Sequence, residues 1–200
     1  MVPKLYSAQP GARLGGFLPD LIRGRQILTG LVLKDLRVRY RYALIGFAWA
    51  VIEPLALTGI LAFVFTVVFG MRGEGAPVDS SLHYAALILV GLVPWQFLSQ
   101  SLSSATTSLV DNRSLIGKVA FPREIVPLAS VGYALVNFFI GYAVLLLALL
   151  VLLKVPGVGA LMMLAIFAIE VILVSGLALL FSCGNAFFRD VKHMVNVMLT

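Results

Sequence analysis

Charge is scarce in this chain of 200 residues: Asp, Glu, Lys and Arg together make up 12% of it, well below the roughly one quarter of a soluble globular domain. Cysteine is scarcer still. A single one, Cys183, excludes an internal disulfide framework and any metal site built on several thiolates. There is no Gly-x-Ser-x-Gly elbow, no His-Glu-x-x-His, no Asp-rich cluster and no Gly-x-x-x-x-Gly-Lys-Ser/Thr phosphate loop. A hydrolase or transferase needs a nucleophile, a base and an orienting group within reach of one another. None suggests itself, and His83 and His193 fall on opposite sides of the membrane in the topology read below. If ATP drives this protein, another chain must bind it. A cleavable signal pattern is also missing, because Arg13, Asp20, Arg23, Arg25, Lys34, Asp35, Arg37 and Arg39 interrupt the first forty residues.

What the chain has is apolar length. Hydrophobic residues make up 60% and the mean hydropathy is +1.02, which marks an all-α integral membrane protein. The net charge of +6 is then a topology and lipid-contact signal, and nucleic acid is discarded as a partner. Four runs are long enough to span: Ala43 to Gly70, Tyr84 to Val110, Ile125 to Leu153 and Leu161 to Cys183, with a fifth beginning at Val195. Placing the N-terminus in the cytoplasm puts 13 of the 15 Lys and Arg on the inner side, leaving Arg72 and Lys154 outside.

Residues 1–42 read as a cytoplasmic lead-in. Leu28, Val32, Leu36 and Tyr40 recur every four residues, with Lys34, Arg37 and Arg41 roughly opposite, as in a helix lying in the membrane interface. Asp35 and Arg39 intrude on the apolar side at a spacing that lets them pair with each other. In the first span Glu53, followed by Pro54, sits deep enough to be expected to face the bundle interior, either as a structural carboxyl or as the lining of a conduit. Glu170, near the middle of the fourth span, reads the same way. Gly91 and Pro94 are expected to break the second span, whose second half, Ser99 to Ser108, is rich in hydroxyls. Close helix packing is the ordinary account of such residues, and a hydroxylated wall for a sugar-bearing substrate is the sharper one.

Between the second and third spans lies a polar, basic island, Asp111 to Glu124. Leu115, Ile116 and Val119 share one helical face, with Arg113 and Lys118 off it. Asp111, Asn112 or Ser114 can cap the start, and Pro122 stops the helix near Phe121. The spacing fits a two-turn amphipathic helix suited to a groove on a partner, and equally a loop wetted by lipid headgroups.

Four ordered stretches carry a resemblance: Lys34 to Trp49 with Glu53-Pro54, Gly91 to Phe97, Asn112 to Pro127, and Asn185 to His193. Together they resemble the permease subunit of polysaccharide-exporting ABC transporters, O-antigen exporters above all, with capsule and teichoic-acid exporters as near relatives. The resemblance implies an interface helix carrying Lys34, Arg37, Arg39 and Arg41, then a permease domain over 43–200. It implies two permease copies and two ATPase subunits in the inner membrane of a bacterium, with ATP and Mg held by the ATPases and no cofactor on this chain. Asn112, Arg113, Ser114, Leu115, Ile116, Lys118, Val119 and Phe121 would form the coupling helix, with Pro122, Arg123 and Glu124 completing the ATPase-coupling segment; Arg123 and Glu124 are read as the salt-bridged base of the next span. A lipid-linked polysaccharide would pass by Glu53, Tyr133, Asn137, Phe138, Tyr142 and Glu170, the aromatic rings stacking on sugar faces. Family members generally have six spans, so with four and the start of a fifth this chain is expected either to be a fragment lacking the last two or to depart from the pattern. A permease for small amphiphilic drugs or an ion-coupled carrier using Glu53 or Glu170 are the competing readings.

Overall fold

The computed structural model describes residues 24–40, 48–68, 80–118, 121–148 and 157–200, and these are helical with short connections. The elements are α1 (Arg25–Tyr40), α2 (Trp49–Phe63, running into a π-helical turn Val64–Val68), α3 (Ser80–Asp111), α4 (Arg113–Ile116), α5 (Ile125–Ala148), α6 (Gly157–Phe187) and α7 (Val191–Met198). Among the described residues, three helices are long and apolar enough to cross a membrane: Leu87–Asp111, Ile125–Leu147 and Met162–Phe187. The first expected span appears as the shorter apolar helix Val51–Leu61, and both ends of the 43–70 run lie outside the described residues. Where a fifth span was expected to begin, the described chain forms the eight-residue α7, which packs back on α3 and α6.

The central element is α3, which touches α2, α4, α5, α6 and α7. Contrary to the sequence expectation, Gly91 and Pro94 do not break it. Proline removes one N–H and leaves the carbonyl of Val90 without its usual partner, and a helix lodged among neighbours in an apolar medium tolerates that loss.

Two apolar clusters hold the bundle. The larger joins Leu89, Val93 and Phe97 of α3 to Ala134, Phe138 and Leu145 of α5 and to Phe167, Val174 and Ala178 of α6. At its centre the Phe138 and Phe167 rings lie parallel with centroids 3.4 Å apart, and Phe97 meets both edge-on at 5.7 and 5.1 Å. The rest of α6 presents Ile166, Ile169, Ile172, Leu173 and Leu180 outward, as suits a helix against lipid tails. The smaller cluster joins Leu31 of α1 to Ile125, Val126 and Ala129 of α5, with Leu115, Ile116 and Phe121 packed on it.

Leu31 centres the seam of α1, with Ile27, Leu28 and Val32 beside it, so this helix lies against α5. The expected Asp35–Arg39 pair does not form. Asp35 instead meets Lys34 at 3.2 Å, and Arg39 reaches Glu53 at 3.8 Å. An intrahelical i, i+4 pair offers only tenths of a kcal/mol, so a tertiary partner readily outcompetes it. Arg41 lies outside the described residues.

The α1–α5 contact depends on a missing side chain. A Cβ at Gly132 would stand 3.0 Å from Val32 Cγ2. Gly132→Leu is therefore expected to lever α1 off α5 and cost about 1–3 kcal/mol, the usual toll of overpacking. Thermal unfolding in detergent measures this, and an unchanged midpoint would show that the two helices do not meet here.

Candidate functional site

The hydroxyl-rich half of α3 does two jobs on two faces. Ser101, Thr106 and Ser108 are buried in the packed bundle, where Thr106 and Ser108 return their hydroxyl hydrogens to the carbonyls of Leu102 and Ala105 at 2.6 and 2.7 Å. Small residues there let helices approach closely. Gln96, Ser99, Gln100 and Ser103 recur at i, i+3, i+4 and i+7, a spacing that aligns them along another face. With Ser104, they line a cavity of about 440 Å³.

The other walls come from along the whole chain: Arg39 of α1, Glu53 of α2, Asn137 and Phe138 of α5, and Asn196, Leu199 and Thr200 in and after α7. Asn137 Nδ2 donates to Gln100 Oε1 at 3.0 Å, and Ser103 Oγ donates to Asn196 Oδ1 at 3.4 Å. The Arg39–Glu53 pair, 3.8 Å apart, joins α1 to α2 at this cavity, and the Arg39 guanidinium stands 5.9 Å from the centroid of the Tyr133 ring. Neutral amides and hydroxyls thus outnumber the single ion pair. Such a lining offers both donors and acceptors and suits a ligand dense in hydroxyl groups better than an ion or a hydrocarbon.

Of the six residues read as candidates for a conduit, Glu53, Asn137 and Phe138 line this cavity and Tyr133, Tyr142 and Glu170 do not. Glu53 faces Arg39 but stays 61% exposed rather than locked in the bundle. Phe138 is 5% exposed, with Phe167 parallel to it and Tyr142 stacked on it at 5.6 Å, so its faces are already occupied and it cannot serve as a sugar platform. Tyr133 is buried with a hydroxyl that finds no hydrogen-bond partner among the described residues. Glu170 is half-buried on α6, away from the cavity. Among the described residues no group of acidic, histidine or cysteine side chains is placed to hold a metal.

The island between α3 and α5 is shorter than its spacing suggests: one helical turn, Arg113–Ile116, rather than two. Val119 lies outside the described residues. Asn112 precedes the turn but does not cap it with its side chain. Its Nδ2 donates to the Ser108 carbonyl at 2.9 Å and its Oδ1 accepts from Lys34 Nζ at 2.9 Å, so it ties α3 to α1. Leu115 and Ile116 pack inward on the Leu31–Ile125 cluster, leaving Arg113, Ser114 and Lys118 exposed. Arg123 and Glu124 were expected to be salt-bridged, yet neither makes an ion pair among the described residues. Both are exposed, where an ion pair gains little, and their carbonyls accept from Val126 and Leu128 at the start of α5.

Over 183 residues, 91% of its length, the chain is 31% identical to two Klebsiella pneumoniae proteins named O-antigen export system permease protein RfbA. The chain is similar to O-antigen export permeases along nine-tenths of its length. A Myxococcus xanthus protein of the same name is 28% identical over 181 residues. The chain spans 65% of the length of each Klebsiella permease and 66% of the Myxococcus one. No protein-family model matches it.

The cavity-lining residues that the sequence reading missed carried different signals in the sequence. Gln96 and Gln100 stood one turn apart beside the serines, and that signal was readable. Arg39 was assigned to the membrane surface, and Asn196 and Thr200 to a new span. Only the packing of α1 and α7 against the bundle brings these three to the cavity.

Proposed function

We propose that this chain is the membrane subunit of an ATP-driven exporter that moves a lipid-linked, O-antigen-like polysaccharide across the inner membrane of a bacterium. The similarity to the O-antigen export permeases over nine-tenths of the chain carries this reading, and the amide- and hydroxyl-lined cavity supports it. Two copies would work with two ATPase subunits, which hold the ATP and Mg. The N-terminus is cytoplasmic, α1 is an interface helix, and α2 completes the first of four spans.

Asn112 to Phe121 is the segment that meets the ATPase. Leu115 and Ile116 are engaged from below, so the side offered to a partner is Arg113, Ser114 and Lys118. Leu115→Asp or Ile116→Asp would place a charge in the apolar seam and is expected to loosen the local fold, so the cleaner test is on the exposed side. The doubly substituted Arg113→Glu, Lys118→Glu chain, expressed full-length with its ATPase, is expected to insert normally and to retain about a tenth or less of the co-purifying ATPase, as charge reversal at an interface does. Undiminished co-purification would reject the docking role. A drug-type permease would share the ATPase, but its cavity would be mainly apolar, whereas polar side chains predominate here.

A further inference from the structure

The helix α1 is tied at two places to two different parts of the molecule. At Lys34, Nζ donates to Asn112 Oδ1 at the head of the α4 turn, while Leu115 and Ile116 of that turn pack with Ile27, Leu28, Leu31 and Val32 in the same apolar cluster. At Arg39 the guanidinium pairs with Glu53 and stands over the Tyr133 ring, and both Arg39 and Glu53 line the cavity. Between the two ties lie only Asp35, Leu36, Arg37 and Val38, helical throughout and free of glycine and proline. That separation is about 7.5 Å along the axis, and an unbroken helix of this length moves as a rod.

We propose that α1 is a mechanical link between the α4 turn and the polar cavity, with Lys34 and Arg39 as positioning residues at its two ends. A displacement of the turn carries Lys34 with it through Asn112, the rod shifts, and Arg39 is drawn from Glu53, changing access to the cavity. The Arg39–Glu53 contact suits this task because it is long and both side chains are largely exposed, at 47% and 61%. Such a pair biases a conformation without locking it. The role of the link in export rests on the exporter reading above, but its existence does not.

The test uses full-length protein in native membranes, with Cys183→Ser and any other cysteine of the full chain replaced by serine, and Ser104→Cys, on the half-buried part of the cavity wall, as the reporter. The rate of labelling by a membrane-impermeant maleimide reads access to the cavity. Arg39→Gln and Glu53→Gln are each expected to raise it about twofold to fivefold, the leverage of an exposed pair. Lys34→Ala and Asn112→Ala, which touch no part of the cavity wall, are expected to raise it by a similar factor. Lys34→Ala combined with Glu53→Gln should do no more than either alone, because both release the same rod. Lys34→Arg, which keeps a donor for Asn112, should restore the original rate, and this separates a lost link from a misfolded chain. Labelling that ignores the Lys34 and Asn112 changes, or effects that simply multiply in the double variant, would overturn the proposal. The exporter reading fails separately, if no ATPase associates with the same preparation.

Discussion

Replacing Phe138 by alanine is expected to lower the stability of the bundle by about 3 kcal/mol, at the low end of the range for phenylalanine truncations in soluble cores. The low end applies because lipid tails are as apolar as the ring, so burial itself is worth little here and what is lost is packing. That packing is dense: Phe138 lies parallel to Phe167 at 3.4 Å, edge-on to Phe97 at 5.7 Å and stacked on Tyr142 at 5.6 Å. One truncation therefore takes a ring contact from Phe97 on α3, Tyr142 on α5 and Phe167 on α6. Phe139, the next residue, is 54% exposed, and its replacement is expected to cost less than about 1 kcal/mol. Thermal or denaturant unfolding in detergent compares the two. Equal costs would mean that the aromatic cluster does not hold these helices together.

Gln100→Leu combined with Asn137→Leu is expected to reduce export about tenfold or more while leaving the fold near its original stability. The asymmetry follows from the Asn137–Gln100 hydrogen bond of 3.0 Å. Removing both partners together leaves neither one buried and unsatisfied, and such exchanges are close to neutral for stability. A hydroxyl-rich polymer passing the same wall would lose two amides, and a site that hydrogen-bonds its ligand discriminates steeply when those groups go unpaired. Surface display of polymer in cells carrying the full-length variant, beside its unfolding midpoint, reads both quantities. Normal display would place the route of the polymer elsewhere in the assembly.

The fold was legible where its cause is local. Long apolar runs and few charges are the requirements of a bilayer, and they announced α3, α5 and α6 as membrane-crossing helices. The polar island announced a turn between two of them. Its length was misjudged because Leu115 and Ile116 have the spacing of an amphipathic helix whether their apolar side meets a partner protein or the chain's own α1 and α5. Arg39 shows the same limit. On a helical wheel it is one basic residue among several, and only the placing of α2 beside α1 gives it Glu53 for a partner. The hydroxyls of α3 were recognisable as a set, but their division into a packed face and an open one depends on where α5, α6 and α7 lie, which spacing along one helix does not encode.

The cavity wall is assembled from residues made at very different times. Ser103 and Asn196, which meet across it, are separated by 93 positions. At about 5–20 residues per second of synthesis, the amide arrives on the order of 5–20 s after the serine. During that interval Gln96, Ser99, Gln100 and Ser103 form a polar stripe that α7 does not yet face. The polar wall of α3 therefore stays open on its α7 side until Asn196 has been made.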